Sequence, residues 1–125
     1  MGFVDLHVHS NASDGTFSPS QVVELAKNAG LDAIALTDHD TTAGVDEALE
    51  AAHHLNIEVI PGIEVSSSFD GTEIHILGLF VDPDDPVLAA KGNCRFCNLC
   101  SKHAQSASLT ACQQHCNTFF FVEHN

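Results

Sequence analysis

Along the first ninety positions, short apolar runs alternate with stripes at helical spacing. Phe3, Val4, Leu6 and Val8 form a short apolar strand. Ser18-Pro19-Ser20-Gln21 then marks a helix start: Ser18 caps, Pro19 suits the first helical position, and Gln21 completes a capping box. Val22, Leu25, Ala26 and Ala29 recur as its inner face, and Gly30 ends it. Asp32 to Thr37 is small and mostly apolar, which fits a buried parallel strand. Thr41 or Thr42 caps a second helix whose inner face is Val45, Ala48, Leu49 and Ala52. Ile57 to Ile60 reads as the next strand, broken by Pro61-Gly62, and Ile63 to Phe69 as a further one. Asp70-Gly71 is a hairpin signal, and Thr72 to Phe80 runs back as the partner strand. Asp82-Pro83-Asp84-Asp85-Pro86 is a loop expected to open another helix at Val87-Leu88-Ala89-Ala90.

Strand–helix alternation of this kind predicts parallel β/α units with right-handed crossovers. In such folds, sites collect at the C-terminal ends of the strands. His7 and His9, Asp38-His39-Asp40 and Glu64 all fall at or just after strand ends. Side chains two apart on a strand share a face at a spacing of roughly 6.6 Å, so His7 and His9 can converge on one ion. Ser13-Asp14-Gly15 turns the chain and brings a carboxylate back to the same end. Each residue alone has a structural explanation: His7 a core histidine, Asp14 a turn former, His39 a helix-start residue, Glu64 an outward strand carboxylate. Their coincidence at one end of a sheet points to a site. His53-His54, at the end of the second helix, suit the helix dipole and are read as structural.

Composition narrows the chemistry. The chain has 125 residues, enough for one domain or part of a larger one. No apolar run is long enough for a bilayer and no signal peptide precedes the first strand, so no membrane association and a cytoplasmic location are expected. The formal charge of −13 is uneven, about −15 over residues 1–90 and about +2 beyond them. Such an acidic surface repels polyphosphate backbones, and stable duplex nucleic-acid binding is not expected. Clustered carboxylates and imidazoles do bind divalent cations.

Asp5-Leu6-His7-Val8-His9-Ser10, Ser13-Asp14-Gly15, Leu36-Thr37-Asp38-His39-Asp40, Pro61-Gly62-Ile63-Glu64-Val65-Ser66 and Glu73-Ile74-His75-Ile76-Leu77-Gly78 together resemble the PHP family, named for polymerase and histidinol phosphatase. The order of these motifs is most similar to its stand-alone phosphoesterases, which act on nucleotides and short RNA. The resemblance covers residues 1–90. It implies an α/β fold, the front half of a distorted (β/α)7 barrel with up to three divalent ions, Mn, Zn or Fe, at the strand C-termini. His7 and His9 would serve the first ion, and Asp14 with His39 the second. Glu64 would bridge the first and third, and His75 would bind the third. Asp38 and Asp40 would be carboxylates that orient the imidazoles. A metal-bound hydroxide would attack phosphorus in line. The implied partner is a small phosphorylated substrate, a nucleotide or short RNA. Two other classes stand beside this one: a metal-binding fragment without turnover, and an amidohydrolase-type metal hydrolase, whose first strand also ends in His-x-His.

The family's remaining ligands, another His and a late Asp-x-His, belong to its second half, and no Asp-x-His occurs after His75. A barrel cut midway is expected to self-associate through its open sheet edge. From Lys91 onward the composition switches to Cys, His, Gln, Asn and Ser, with no clear period until Phe119-Phe120-Phe121-Val122. Cys94, Cys97, Cys100 and His103, then Cys112, His115 and Cys116, match no structural zinc module in spacing. Residues 91–125 are therefore expected to be an irregular Cys/His-rich tail, unrelated to the family or out of frame.

Overall fold

The computed structural model describes residues 2–69, 72–85 and 118–122. The element order is β1 (Val4–Val8), α1 (Pro19–Asn28), β2 (Ala33–Leu36), α2 (Val45–Leu55), β3 (Glu58–Phe69), β4 (Thr72–Leu79) and β5 (Thr118–Val122). The five strands form one sheet in sequence order. β1, β2 and β3 pair in parallel, whereas β3–β4 and β4–β5 are antiparallel. The predicted helix at 87–90, the Asp70-Gly71 turn and the cysteine-rich stretch lie outside the described residues.

Local chemistry explains the first unit. Ser18 Oγ accepts from Gln21 N–H at 3.3 Å while Gln21 Oε1 accepts from Ser18 N–H at 3.0 Å, the predicted capping box. α1 buries Pro19, Val22, Val23 and Ala26. This arc corrects the predicted inner face, because Leu25 points to solvent and fully buried Val23 takes the place against the sheet. Gly30, just past the end of α1, has a φ of +82°, where a side chain would be strained.

α2 begins differently from expectation. Its N-cap is Gly44, with no side-chain cap, rather than Thr41 or Thr42. A β-carbon at Gly44 would lie 2.9 Å from Pro19 Cγ and 3.2 Å from both Asp38 Oδ2 and Ser10 Oγ, so that point has no room for a capping side chain. Thr41 Oγ1 instead accepts from Ala43 N–H one step earlier.

The predicted break at Pro61-Gly62 does not occur, and β3 runs through it. Leu36↔Pro61 is the last pair with β2 and Gly62↔Leu79 the first with β4. Proline therefore stands where the strand changes partners. A β-carbon on Gly62 would come within 2.7 Å of Thr37 Cγ2 and 2.8 Å of Leu36 O, which is why the next residue has no side chain.

The sheet separates two apolar layers. Val22, Val23, Ala26, Ile34, Leu36, Ala48, Ala52, Ile57 and Val59 pack between it and the helices. On the other face Ala35, Ile60 and Leu79 cluster with Leu6. Burying a side chain the size of Ile34 or Leu36 contributes about 1.5–3 kcal/mol.

β1 carries one irregularity that matters for the site. Asp5 aligns with Ile34 and Val8 with Leu36, so three steps on β1 meet two on β2. One extra residue reverses which face each later side chain takes. Val8 joins the helix-side core, and His7 and His9 on either side of it turn to the opposite face, shared with Glu64.

Candidate metal centre

The residue at the middle of the site is Glu64, whose side chain is 1% exposed. The parallel register of β2 and β3 continues past the end of β2 as a bridge between His39 and Glu64. Glu64 N–H donates to Asp38 O and Asp40 N–H donates to Glu64 O, which fixes His39 beside the carboxylate. In the β3–β4 ladder Ser66 faces His75 and Glu64 faces Leu77, so His75 is the diagonal neighbour of Glu64 on one face.

Four imidazoles surround this carboxylate. Glu64 Oε2 lies 2.8 Å from His7 Nε2, 2.7 Å from His9 Nε2 and 3.7 Å from His39 Nδ1, and Oε1 lies 2.9 Å from His75 Nδ1. Asp14 completes the rim, with its carboxylate 2.9 Å from His9 Nδ1 and 3.7 Å from His39 Nε2. The rings form a continuous row, with centroids 5.0 Å apart for His7–His9, 4.5 Å for His9–His39 and 5.0 Å for His39–His75.

The electrostatics follow from this packing. Burial raises the Glu64 pKa, but the hydrogen bond from His7 and the charges of His7, His39 and His9 outweigh it, and the net shift is downward. Burial depresses His75, yet hydrogen bonds to Glu73 and Glu64 hold its pKa above the ordinary value. Asp14 is held down chiefly by the His9 hydrogen bond.

The donor set fits divalent metal ions. Three groups, His7–His9–Glu64, His9–Asp14–His39 and His39–Glu64–His75, each bring three ligand atoms within 4.8 Å of one another. His9 Nε2 and His39 Nδ1 are buried and make no directed hydrogen bond, although Glu64 Oε2 is near both. A buried imidazole nitrogen without a hydrogen bond is costly unless its lone pair serves a ligand.

All six residues that the sequence resemblance points to, His7, His9, Asp14, His39, Glu64 and His75, thus meet in one cluster. Asp38 and Asp40 sit close by. The Asp38 carboxylate, expected to orient an imidazole, accepts instead from Ser10 N–H, Ser10 Oγ and Ser13 Oγ. The physical reason is its direction: it is buried at 1% exposure beneath the β1–α1 turn. Asp40, at a φ of 54°, accepts from Ser66 N–H and so ties β2 to β3. Sequence reasoning gave no role to Glu73, whose Oε1 lies 3.1 Å from His75 Nε2. Its position two residues before His75 on one strand was the available signal.

The first three strands form parallel β/α units, and at their ends carboxylates and imidazoles gather into groups that could hold metal ions. A family model described as PHP domain matches residues 5–121, and the chain belongs to that family. It is 49% identical over 86 residues to a 5'-3' exoribonuclease of Haemophilus influenzae, covering 69% of this chain and 31% of the relative. It is 44% identical over 90 residues to a 3',5'-nucleoside bisphosphate phosphatase of Chromobacterium violaceum, covering 72% and 32%. A solved structure of an amidohydrolase from Chromobacterium violaceum superposes with a TM-score of 0.66 at 44% identity, covering 68% of this chain and 30% of that one. A Bifidobacterium adolescentis structure described as a metal-dependent phosphoesterase gives 0.65 at 37% identity, covering 69% and 30%. The chain spans about a third of the length of the curated relatives it matches. No helix among the described residues is long and apolar enough to cross a membrane.

Proposed function

We propose that this chain is the front part of a metal-dependent phosphoesterase that cleaves phosphate esters of nucleotides or short oligonucleotides. The observation that carries this reading is Glu64, a fully buried carboxylate ringed by His7, His9, His39 and His75, two of which bury a nitrogen without a hydrogen bond. His7, His9 and Glu64 would hold one ion, Asp14 and His39 a second, and Glu64 with His75 a third. Manganese, zinc and iron all accept this mixture of ligands. When bound, such ions make water a nucleophile near neutral pH and offset charge on a phosphoryl group.

The chain's own groups supply the setting. Glu64 holds two oxygens at fixed points between imidazoles, and Asp14 closes the solvent side. Among the described residues the single Lys or Arg is Lys27, whose Nζ donates to Asn56 O at the opposite end of the sheet. Among the described residues no lysine or arginine therefore stands at the site, and a bound metal ion would be the group to meet a phosphate. A cytoplasmic location and self-association along the outer edge of β1, where Phe3 and Val4 are exposed, belong to the same reading. Concentration-dependent sedimentation is the signature of the latter.

The test joins this chain to the remaining part of the Chromobacterium relative and follows phosphate release from a nucleoside 3',5'-bisphosphate, beside an amide substrate. The expected result is phosphate release that stops on metal stripping, returns with Mn²⁺ or Zn²⁺, and falls at least about a hundredfold in His39→Ala. The likeness to a structure called an amidohydrolase favours a second reading, and amide turnover without phosphate release would establish that instead. Retained metal with neither turnover would leave a binding module.

A further inference from the structure

Resting on the metal-site reading above, we infer that Asp38 is a positioning residue that acts through Ser10 and Ser13 to hold the β1–α1 turn, and with it Asp14, against His9 and His39. Asp14 needs such support. Its side chain is 67% exposed, and a surface carboxylate–imidazole contact contributes little on its own. Nothing buried grips Asp14 itself; what is buried is the root of its turn.

That root is densely bonded. Asp38 Oδ1 accepts from Ser10 N–H at 2.7 Å and from Ser13 Oγ at 2.6 Å, and Oδ2 accepts from Ser10 Oγ at 2.7 Å. Ser10 Oγ in turn accepts from Ala12 N–H at 3.1 Å. Ser10 O accepts from the N–H groups of Ser13 and Gly15, and Asn11 N–H donates to Phe17 O. Gly15 permits this closure, because a β-carbon there would stand 2.7 Å from the Ser10 carbonyl carbon. Ser13 Oγ also lies 3.4 Å from Asp14 Oδ1, but its one proton is committed to the much shorter bond with Asp38. Ser10 and Ser13 bond this carboxylate directly, and Ala12 and Gly15 reach it through Ser10; the carboxylate lies just past β2, next to His39. One element thus sets both Asp14 and its partner imidazole.

The role is geometric, so it does not require the negative charge. Asparagine can keep the two bonds at the Oδ1 position and, with its amide donating, let Ser10 Oγ accept at the other. Alanine cannot. The experiment compares the 125-residue wild-type chain with Asp38→Asn, Asp38→Ala, Ser13→Ala and the double variant Asp38→Ala/Ser13→Ala. Amide hydrogen exchange at Ser10 and Gly15 is read on metal-free protein, and Co²⁺ titration is followed by visible absorption.

The expected result is wild-type protection and Co²⁺ binding in Asp38→Asn to within about threefold. Asp38→Ala and Ser13→Ala should each lose turn protection and weaken the second Co²⁺ step by about 10–100-fold, leaving the first step unchanged. The double variant should be no worse than Asp38→Ala, since both break one link. Should Asp38→Ala fail to fold, Ser13→Ala carries the same prediction. Asp38→Asn behaving like Asp38→Ala would overturn the proposal in favour of a charge effect. So would equal weakening of both Co²⁺ steps, or full protection in Ser13→Ala. Wild-type protein that takes up no Co²⁺, yet shows the same pattern of exchange, would remove the metal reading and leave the positioning role intact.

Discussion

Glu64 is an anion placed where water cannot reach it, and such a group is tolerated only with close partners. In the metal-free protein those partners are imidazoles, which gives its stability a distinct pH dependence. The folded pKa of Glu64 is below the ordinary 4.5, so its contribution is present above that value and lost as pH falls through the folded value. The folded pKa of His75 is above the ordinary 6.5, so its contribution is fully present below 6.5 and lost as pH rises through the folded value. The metal-free cluster is therefore most stabilising between these two ordinary values. Metal binding has the opposite slope on the alkaline side, because imidazoles must shed protons to become ligands. Melting temperature of stripped protein should fall as pH rises above 6.5, less so in His75→Gln, and added Mn²⁺ should reverse the trend. A stripped protein that gains stability over this range would contradict the pairing. At this scale the sequence was informative where spacing on one strand carried the signal, as for His7 and His9. It assigned Asp38 to an imidazole, because its serine partners lie 25 and 28 residues upstream and obey no period.

Among the elements, the β/α order, the capping box of α1 and the return of β4 were legible because each rests on short-range chemistry. The rotation of α1 was not. Leu25 and Val23 are both apolar, and only the sheet beneath decides which one is buried. The continuity of β3 was hidden because Pro-Gly breaks a strand unless proline falls where pairing changes partners. That continuity leads to a specific expectation. In Gly62→Ala the new methyl meets the backbone of Leu36 at 2.8 Å and of Gly78 at 3.2 Å, neither of which can swing aside. Overpacking of this kind costs about 1–3 kcal/mol, to be read as a lower denaturation midpoint at unchanged slope. Unchanged stability would show that β3 and β2 separate at this point. The β1 irregularity had no sequence signal at all, since one extra residue in a five-residue strand leaves no pattern.

Across the whole molecule, four stretches of chain converge to build one face: the end of β1 with its turn, the end of β2, the middle of β3, and β4. Their three ligand groups draw on only six residues, because His9, His39 and Glu64 each serve in two. A carboxylate bridges two ions readily, whereas an imidazole ordinarily serves one. If His9 joins the first group and His39 the second, only His7–His9–Glu64 keeps three protein ligands. The described residues can thus hold one ion firmly and others weakly, with Glu64 common to the arrangement. The direct measurement is elemental analysis after Mn²⁺ or Zn²⁺ loading and exhaustive dialysis, on the wild-type chain and on Glu64→Gln, with circular dichroism confirming that both are folded. About one retained ion per wild-type chain is expected and essentially none in Glu64→Gln, since a three-ligand site reduced to two imidazoles loses its metal to water. Equal retention by the two proteins, or three firmly held ions in the wild type, would contradict this.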